Sequence, residues 1–362
     1  MPNKVKVDVL IVGAGPAGCT AAEHAALGGA EVLLIEKRNE IGVPVRCGEF
    51  MPAVEELKRI FPDAQDPEPL FDVPSFLRVV DTDILRIFSP KLRSYDIEFA
   101  GYTTARDRFD QYLAAKAQRA GARVLTSTPC LALKDGLVLA PDMSIEAKVI
   151  IGADGPLSVV AKALKLERSW DLCPAITGHA TGDFEPIPEM YFGNISPGGY
   201  AWVIPKKSGA NVGLGISKLF SKGDLKDYWR PFVEQRKLQV GKLAGKTVPM
   251  SGPISRTVSG NALVVGDAAG QVMPVNGGGI PIAMICGQVA GQAAARHIKE
   301  GGDLEAYESE WRRQVGRPLQ IAVSTKRLAM LAFGSQWRLE WAMRMLGKRR
   351  MGKAIRCRSV FP

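Results

Sequence analysis

Gly13, Gly15 and Gly18 are spaced as GxGxxG, and an acidic residue, Glu36, follows 23 positions after the first of them. That combination suits a dinucleotide. Gly13 permits a tight turn, Gly15 lets backbone N–H groups approach a pyrophosphate, and Gly18 brings a helix close to a strand. Glu36 stands where a carboxylate accepts bonds from ribose hydroxyls. Far along the chain, Asp267 follows the apolar run Ala262–Val265 inside GDAAG. A carboxylate there either accepts bonds from ribityl hydroxyls, which FAD has and NAD lacks, or caps the helix that small residues open after it. Gly277, Gly278 and Gly279 precede Ile280 and offer no side chain to block a flat ring, while a helix starting there aims N–H groups at a reduced flavin's anionic edge. A third junction, GADG, places Asp154 either beside the cofactor or as a helix cap. The set points to FAD held at both ends.

Such residues need strands that end beneath them. Val7–Val12 (VDVLIV), Glu31–Glu36 (EVLLIE), Lys148–Ile151 (KVII) and the run before Asp267 have the apolar, β-branched character of buried strands, and TAAEHAALGG after Gly18 reads as a helix. Because these pieces are scattered, the nucleotide domain is expected to be discontinuous, over 1–72, 102–170 and 258–300. Arg106–Ala122 reads as one of its helices and Arg123–Thr126 as a strand. Segments 73–101 and 171–257 then form an inserted domain, with 301–362 as a basic helical end. Val73–Phe99 and Ala175–Ser217 have strand character and read as one antiparallel sheet, including a meander over Glu189–Ser217 with turns at 194–199 and 207–210. Alternation along Tyr200–Lys206 (YAWVIPK) puts Tyr200, Trp202 and Ile204 on one face. That face suits either a wall for a long hydrocarbon or an ordinary sheet core.

Composition narrows the class. The 362 residues are 46% hydrophobic, enough for a sizeable core, and no uninterrupted apolar run is long enough to cross a bilayer. No signal peptide is expected, since Met1-Pro-Asn-Lys leads directly into the first strand. The six cysteines show no CxxC or zinc spacing, which fits a reducing cytoplasm. The net charge of +10 is concentrated at the C-terminal end. There, Ser324–Leu346 reads as one helix with Leu328, Leu331, Ser335, Leu339, Ala342 and Leu346 on one face. Trp337 and Trp341 lie one turn apart beside Arg338 and Arg344. That pattern suits either contact with an anionic membrane surface or packing against the body with a solvated basic face. No recognition motif accompanies the charge, which argues against nucleic acid.

In order along the chain, GAGPAG with Glu36, PVRCG at Pro44–Gly48, Arg106 with Phe109 and Asp110, GADG, YAWVIP, and GDAAG followed by Pro274 and GGGI resemble the geranylgeranyl reductase family of flavoproteins. The motifs span Gly13 to about Ala295 and look most like its archaeal members, which saturate the isoprenoid chains of membrane lipids. The resemblance implies an α/β fold of the p-hydroxybenzoate hydroxylase type, with an inserted antiparallel β-sheet substrate domain and a helical C-terminus. It implies FAD, with Gly13, Gly15 and Gly18 at the diphosphate, Glu36 at the adenosine ribose, Arg106 near the diphosphate and Asp267 at the ribityl chain. It also places Arg46, Cys47 and Gly48 by the isoalloxazine and makes the strand Tyr200, Trp202, Ile204, Pro205 the wall of a substrate tunnel. Two departures stand out: Ile204 replaces the motif's Phe, and the chain ends early for the family.

On this reading hydride passes from reduced FAD to an isolated double bond of a long-chain isoprenoid lipid, and Cys47 is the candidate proton donor, with reduced flavin or water as alternatives. A pairing of Cys47 with Cys286 is left open. The chain has no second glycine-rich strand-turn-helix, so electrons are expected from a transiently docked ferredoxin, deazaflavin or NAD(P)H. The expected location is cytoplasmic, at most peripheral on the inner membrane face. A flavin monooxygenase on the same fold and a non-catalytic prenyl-lipid escort are the competing functions.

Overall fold

The computed structural model describes residues 3–360. The chain opens with β1 (Asn3–Val12), α1 (Pro16–Leu27) and β2 (Val32–Ile35), then crosses to a second sheet at β3 (Phe50–Pro52). Short helices α2 (Val54–Ile60) and α3 (Pro67–Leu70) lead into the long hairpin β4 (Arg78–Phe88) and β5 (Ser94–Thr104). Helix α4 (Arg106–Arg119) returns the chain to the first sheet for β6 (Arg123–Leu125), β7 (Ala132–Lys134), β8 (Leu137–Ala140), β9 (Met143–Gly152) and α5 (Val159–Ala163). A second excursion supplies β10 (Leu172–Thr181), β11 (Glu189–Tyr191), β12 (Tyr200–Lys206), β13 (Gly209–Gly215), α6 (Leu225–Gln235), β14 (Gln239–Val240) and β15 (Ala244–Pro249). The final return is β16 (Val258–Ser259), β17 (Ala262–Val264) and α7 (Ile280–Glu300), followed by α8 (Ala306–Trp311), α9 (Arg317–Phe333) and α10 (Gln336–Ile355).

The first sheet has a parallel core in the order β17-β9-β1-β2-β6. Leu10, Ile11, Val32–Ile35 and Val149–Ile151 are buried because helices and a further layer cover both faces. The register decides the site. Val12 pairs with Ile35 and with Gly152, and Gly152 pairs with Val264, so the turns after β1, β2, β9 and β17 leave the sheet side by side at its carboxyl edge. Helices α1 and α7 pack almost backbone to backbone. A Cβ on Gly291 would stand 2.3 Å from the Ala21 carbonyl oxygen, and one on Gly287 would stand 2.5 Å from that of Ala17.

The second sheet runs β14-β10-β13-β12-β11-β4-β5-β3, with β15 also on β10. It departs from the expected antiparallel sheet at one place, since β11 and β4 are parallel. They come from separate excursions of the chain, so no hairpin sets their relative direction. Strand β4 is continuous, and its pairing with β5 shifts register between Arg78 and Val80 and again between Thr82 and Ile84. Strand β3, expected within the nucleotide domain, is hydrogen-bonded to β5 in this sheet.

The C-terminal region also differs from expectation. The single helix expected over Ser324–Leu346 is broken after Phe333, and the Ser335 hydroxyl accepts from the Arg338 amide to start α10. The break rotates the two halves out of phase, so Leu328 and Leu331 face solvent while Leu339 is buried. Helix α9 is pinned to the second sheet by Lys326, whose buried ammonium meets Asp171 and donates to the Met250 carbonyl at 2.5 Å.

Candidate functional site

A cavity of about 800 Å³ runs from the carboxyl edge of the first sheet to the inner face of the second. Its nucleotide end is built from turns. Gly13 has φ +103, and Gly15 begins α1 with no side chain capping it. A Cβ on Gly15 would meet nothing within 4 Å, so that backbone borders open space, whereas one on Gly18 would stand 1.9 Å from the Gly13 carbonyl oxygen. Gly18 therefore serves helix packing and does not line the cavity. The buried Glu36 carboxylate accepts from the Ala14 amide at 2.8 Å and the Arg38 amide at 3.0 Å, bracing the glycine turn from the cavity wall.

Asp154 and Asp267 part company. Asp154 lines the cavity, but its carboxylate accepts from the hydroxyl of Ser158, the N-cap of α5, at 2.5 Å and from the Val159 amide at 2.7 Å, so it braces the start of that helix. Burial pushes its pKa up, with those bonds acting in the opposite sense. Asp267 caps no helix among the described residues. It sits inside a four-residue 3₁₀ turn, Gly266–Ala269, and the long helix expected there starts only at Ile280. Its carboxylate instead pairs with Lys246 of β15 at 3.0 Å and holds that ammonium above its ordinary range. Gly278, Gly279 and Ile280 line the cavity, and no side chain caps α7.

At the centre, Arg46, Cys47 and Gly48 form the turn before β3. Arg46 makes no ion pair among the described residues, and burial followed by the nearby Arg38 lowers its pKa. Arg106, at the start of α4, donates to both Asp110 oxygens at 2.7 Å, while its buried Nε has no partner among the described residues. The Cys47 sulfur accepts from the Glu49 amide at 3.3 Å. A Cβ on Gly48 would stand 2.8 Å from Cδ1 of Ile204, so this turn lies close against β12. Cys47 and Cys286 are both free thiols, and Cys286 is fully buried within α7, away from the cavity wall.

Alternation along β12 holds. Tyr200, Trp202 and Ile204 line the cavity, and the Tyr200 and Trp202 ring centroids are 5.9 Å apart. Pro205, expected on the same wall, is one residue out of phase with Ile204 and does not line it. The Tyr200 hydroxyl donates to the Asn276 carbonyl, tying the strand to the glycine segment before α7. Beyond Trp202 the walls are apolar: Phe50, Leu85, Phe99, Met190 and Ile355.

Sequence reading missed the polar residues under this wall. Asn211 of β13 donates to the Cys47 carbonyl at 2.9 Å and to Glu49 at 2.8 Å, and its side-chain oxygen accepts from the Trp202 indole at 2.8 Å and the Thr177 hydroxyl at 2.8 Å. Glu49, buried and with φ 67, pairs with Lys206 at 2.9 Å. The available signal was weak: Glu49 adjoins Cys47-Gly48, and Lys206 ends the Tyr200 strand, but neither has a spacing that marks it.

The donor set fits FAD. Two uncapped helix starts, an open glycine backbone, an unpartnered buried guanidinium Nε and a cation held at Asp267 converge on one long cavity. A parallel nucleotide sheet joined to a substrate sheet across such a cavity defines an FAD-dependent oxidoreductase. Comparison with known proteins narrows the class. The geranylgeranyl reductase catalytic domain matches residues 179–250, and an NAD(P)-binding Rossmann-like domain matches residues 11–57. Digeranylgeranylglycerophospholipid reductase of Methanocaldococcus jannaschii is 37% identical over 337 residues, covering 85% of this chain and 82% of its own. That of Methanosarcina acetivorans is 37% identical over 354 residues, covering 88% and 84%. The chain belongs to the digeranylgeranylglycerophospholipid reductase family. Among solved structures, a geranylgeranyl bacteriochlorophyll reductase-like protein from Thermoplasma acidophilum is similar at TM-score 0.82 and 30% identity over 94% of this chain and 91% of its own. A flavin-dependent brominase at TM-score 0.71, 19% identical and covering 97% of this chain and 92% of its own, shares the fold.

Proposed function

We propose that this chain saturates carbon–carbon double bonds in the geranylgeranyl chains of an archaeal-type glycerophospholipid, with FAD as its cofactor. The observation that carries this reading is the continuity of the cavity, in which a dinucleotide cradle opens directly onto an apolar chamber. Gly13 and Gly15 present backbone to the diphosphate, and Arg106 supplies its unpartnered Nε nearby. The start of α7 and the Lys246 ammonium place positive charge near the ring end. FAD, once reduced, supplies the hydride that adds to one alkene carbon. An isolated alkene has no carbonyl to polarise, so positioning and water exclusion carry much of the work. Phe50, Leu85, Phe99 and Met190 exclude water, while the faces of Tyr200 and Trp202 stabilise positive charge developing on the chain. Cys47, its sulfur fixed by the Glu49 amide, holds the proton for the second carbon.

Electrons reach the site from a transiently docked ferredoxin, deazaflavin or NAD(P)H. The lipid substrate brings the protein to the inner face of the membrane as a peripheral guest, and among the described residues no helix is long and apolar enough to cross it. Anaerobic incubation of the reduced enzyme with a geranylgeranylated glycerophospholipid tests the reading by mass spectrometry. Two hydrogens gained per double bond are expected. No mass gain, with an oxygen-dependent product from an aromatic substrate instead, overturns it. Replacement of Cys47 by Ser with unchanged turnover would remove its proton-donor role.

A further inference from the structure

Helix α10 is apolar on two sides. Leu339 and Met343 are buried against the body, as is Glu340, which accepts from the Lys91 amide and pairs with Arg344. On the opposite side Trp337, Trp341 and Met345 recur every four residues and are 69%, 56% and 59% exposed, and α9 adds Leu331 at 70% beside the exposed Leu328. Large exposed apolar side chains repeated along one helix face in this way mark a docking surface. Its rim is mostly basic, with Asp96 of β5 near Lys348. Arg327, Arg338, Lys348, Arg349 and Arg350 are exposed and form no ion pair among the described residues. From Trp311 to the end of the chain, thirteen Lys and Arg stand against one acid, the buried Glu340. A second copy of this face would bring the same unpaired cations against the first, while the carboxylate near them, Asp96, is already paired with Arg86. An anionic lipid surface supplies both missing partners, phosphates for the rim and acyl chains for the centre, and exposed Trp is the residue suited to that boundary.

We infer that the outer face of α9 and α10 docks the protein on an anionic bilayer. Trp337, Trp341 and Met345 enter the boundary between headgroups and acyl chains, with Arg338, Lys348, Arg349 and Arg350 on lipid phosphates. The same helix reaches the substrate chamber. It kinks at Gly347, with φ 60 and ψ 175, and its second half carries Ile355 into the cavity wall. That half is fixed by Arg356, which donates to Glu56 at 2.7 and 2.8 Å and to the Glu98 carbonyl at 2.6 Å. One element thus has a bilayer side and a chamber side, and the lipid tail enters alongside it. The entry route rests on the lipid-substrate reading, whereas the docking does not.

Co-sedimentation of the FAD-loaded protein with vesicles separates the two. Phosphatidylglycerol–phosphatidylcholine vesicles are expected to retain the protein, phosphatidylcholine vesicles alone to retain it poorly, and raised salt to release it. The double variants W337A/W341A and R349E/R350E are each expected to lower binding about tenfold or more, with circular dichroism and flavin absorbance unchanged. The ratio of turnover on vesicle-borne lipid to that on detergent-dispersed lipid falls in step. Equal vesicle binding by wild type and both variants overturns the docking, as does a wild-type dimer in solution that W337A/W341A disperses. Intact vesicle binding with no hydrogenation of any lipid would instead fault the reductase reading and leave the docking in place.

Discussion

Gly15 and Gly18 lie three residues apart, yet a methyl group tests different things at each. Gly15 has φ −81 and open space beyond it, so Gly15→Ala is expected to leave stability within about 0.5 kcal/mol of wild type. Flavin affinity should nonetheless fall about tenfold or more, because the added carbon stands where a diphosphate must approach. Gly18→Ala forces a carbon against the Gly13 carbonyl and should destabilise the fold by about 1–3 kcal/mol. Thermal unfolding and a flavin titration check both, and a Gly15→Ala protein that binds flavin normally would count against the cradle. Asn211→Leu removes four hydrogen bonds around Glu49, Cys47, Trp202 and Thr177 and leaves buried polar groups unpaired. A loss of about 2–4 kcal/mol in urea unfolding is expected, with kcat falling because the Cys47 turn and the Trp202 wall lose their common anchor. The glycines are legible in sequence because their spacing is local. Asn211 is not, since its partners at 47 and 49 are more than 160 residues away.

Elements show the same division. The strand, turn and helix over β1 and α1 follow from a β-branched run, close-set glycines and an alanine-rich segment, all within one stretch of chain. The wall on β12 follows from period-2 alternation. What escapes is pairing fixed at long range: the three-residue β3 has too few residues to show a period, and the parallel β11 and β4 meet only through the fold. The break after Phe333 was marked in sequence only by Gly334-Ser335, which an apolar periodicity running across it obscured. The second half of α10 offers a pH test of how that region is held. Burial raises the Glu56 pKa, but the hydrogen bond and charge of Arg356 outweigh it and leave the carboxyl below its ordinary value. A depressed folded pKa contributes stability above the unfolded pKa, about 4.3, and that stability is lost as pH falls through the folded value. Acidification below about pH 4 should therefore loosen α10 at Ile355, read by hydrogen exchange of residues 348–355, and Glu56→Gln should abolish that pH dependence.

Across the whole molecule, the cofactor cavity is walled by both sheets, and Lys246 of the second reaches Asp267 in the turn that follows β17 of the first. A ligand bound there stabilises the native state alone, by about 2.7 kcal/mol when present at a hundred times its dissociation constant. Removing FAD should lower the melting temperature, and adding it back should restore a single unfolding transition. If apoprotein and holoprotein melt together, flavin does not bind the native state in preference to the unfolded chain. The strand order β17-β9-β1-β2-β6 has one more consequence, for synthesis. The first residues made, in β1, lie beside β9, and β9 gains its other neighbour along the parallel core only when β17 is made near residue 264. A nascent chain on the ribosome therefore gives β1 both its neighbours once β9 is made but keeps β9 waiting for β17, and a chain stopped before Ala262 lacks the strand that leads to Asp267. Nascent chains of increasing length should acquire flavin fluorescence only after that point.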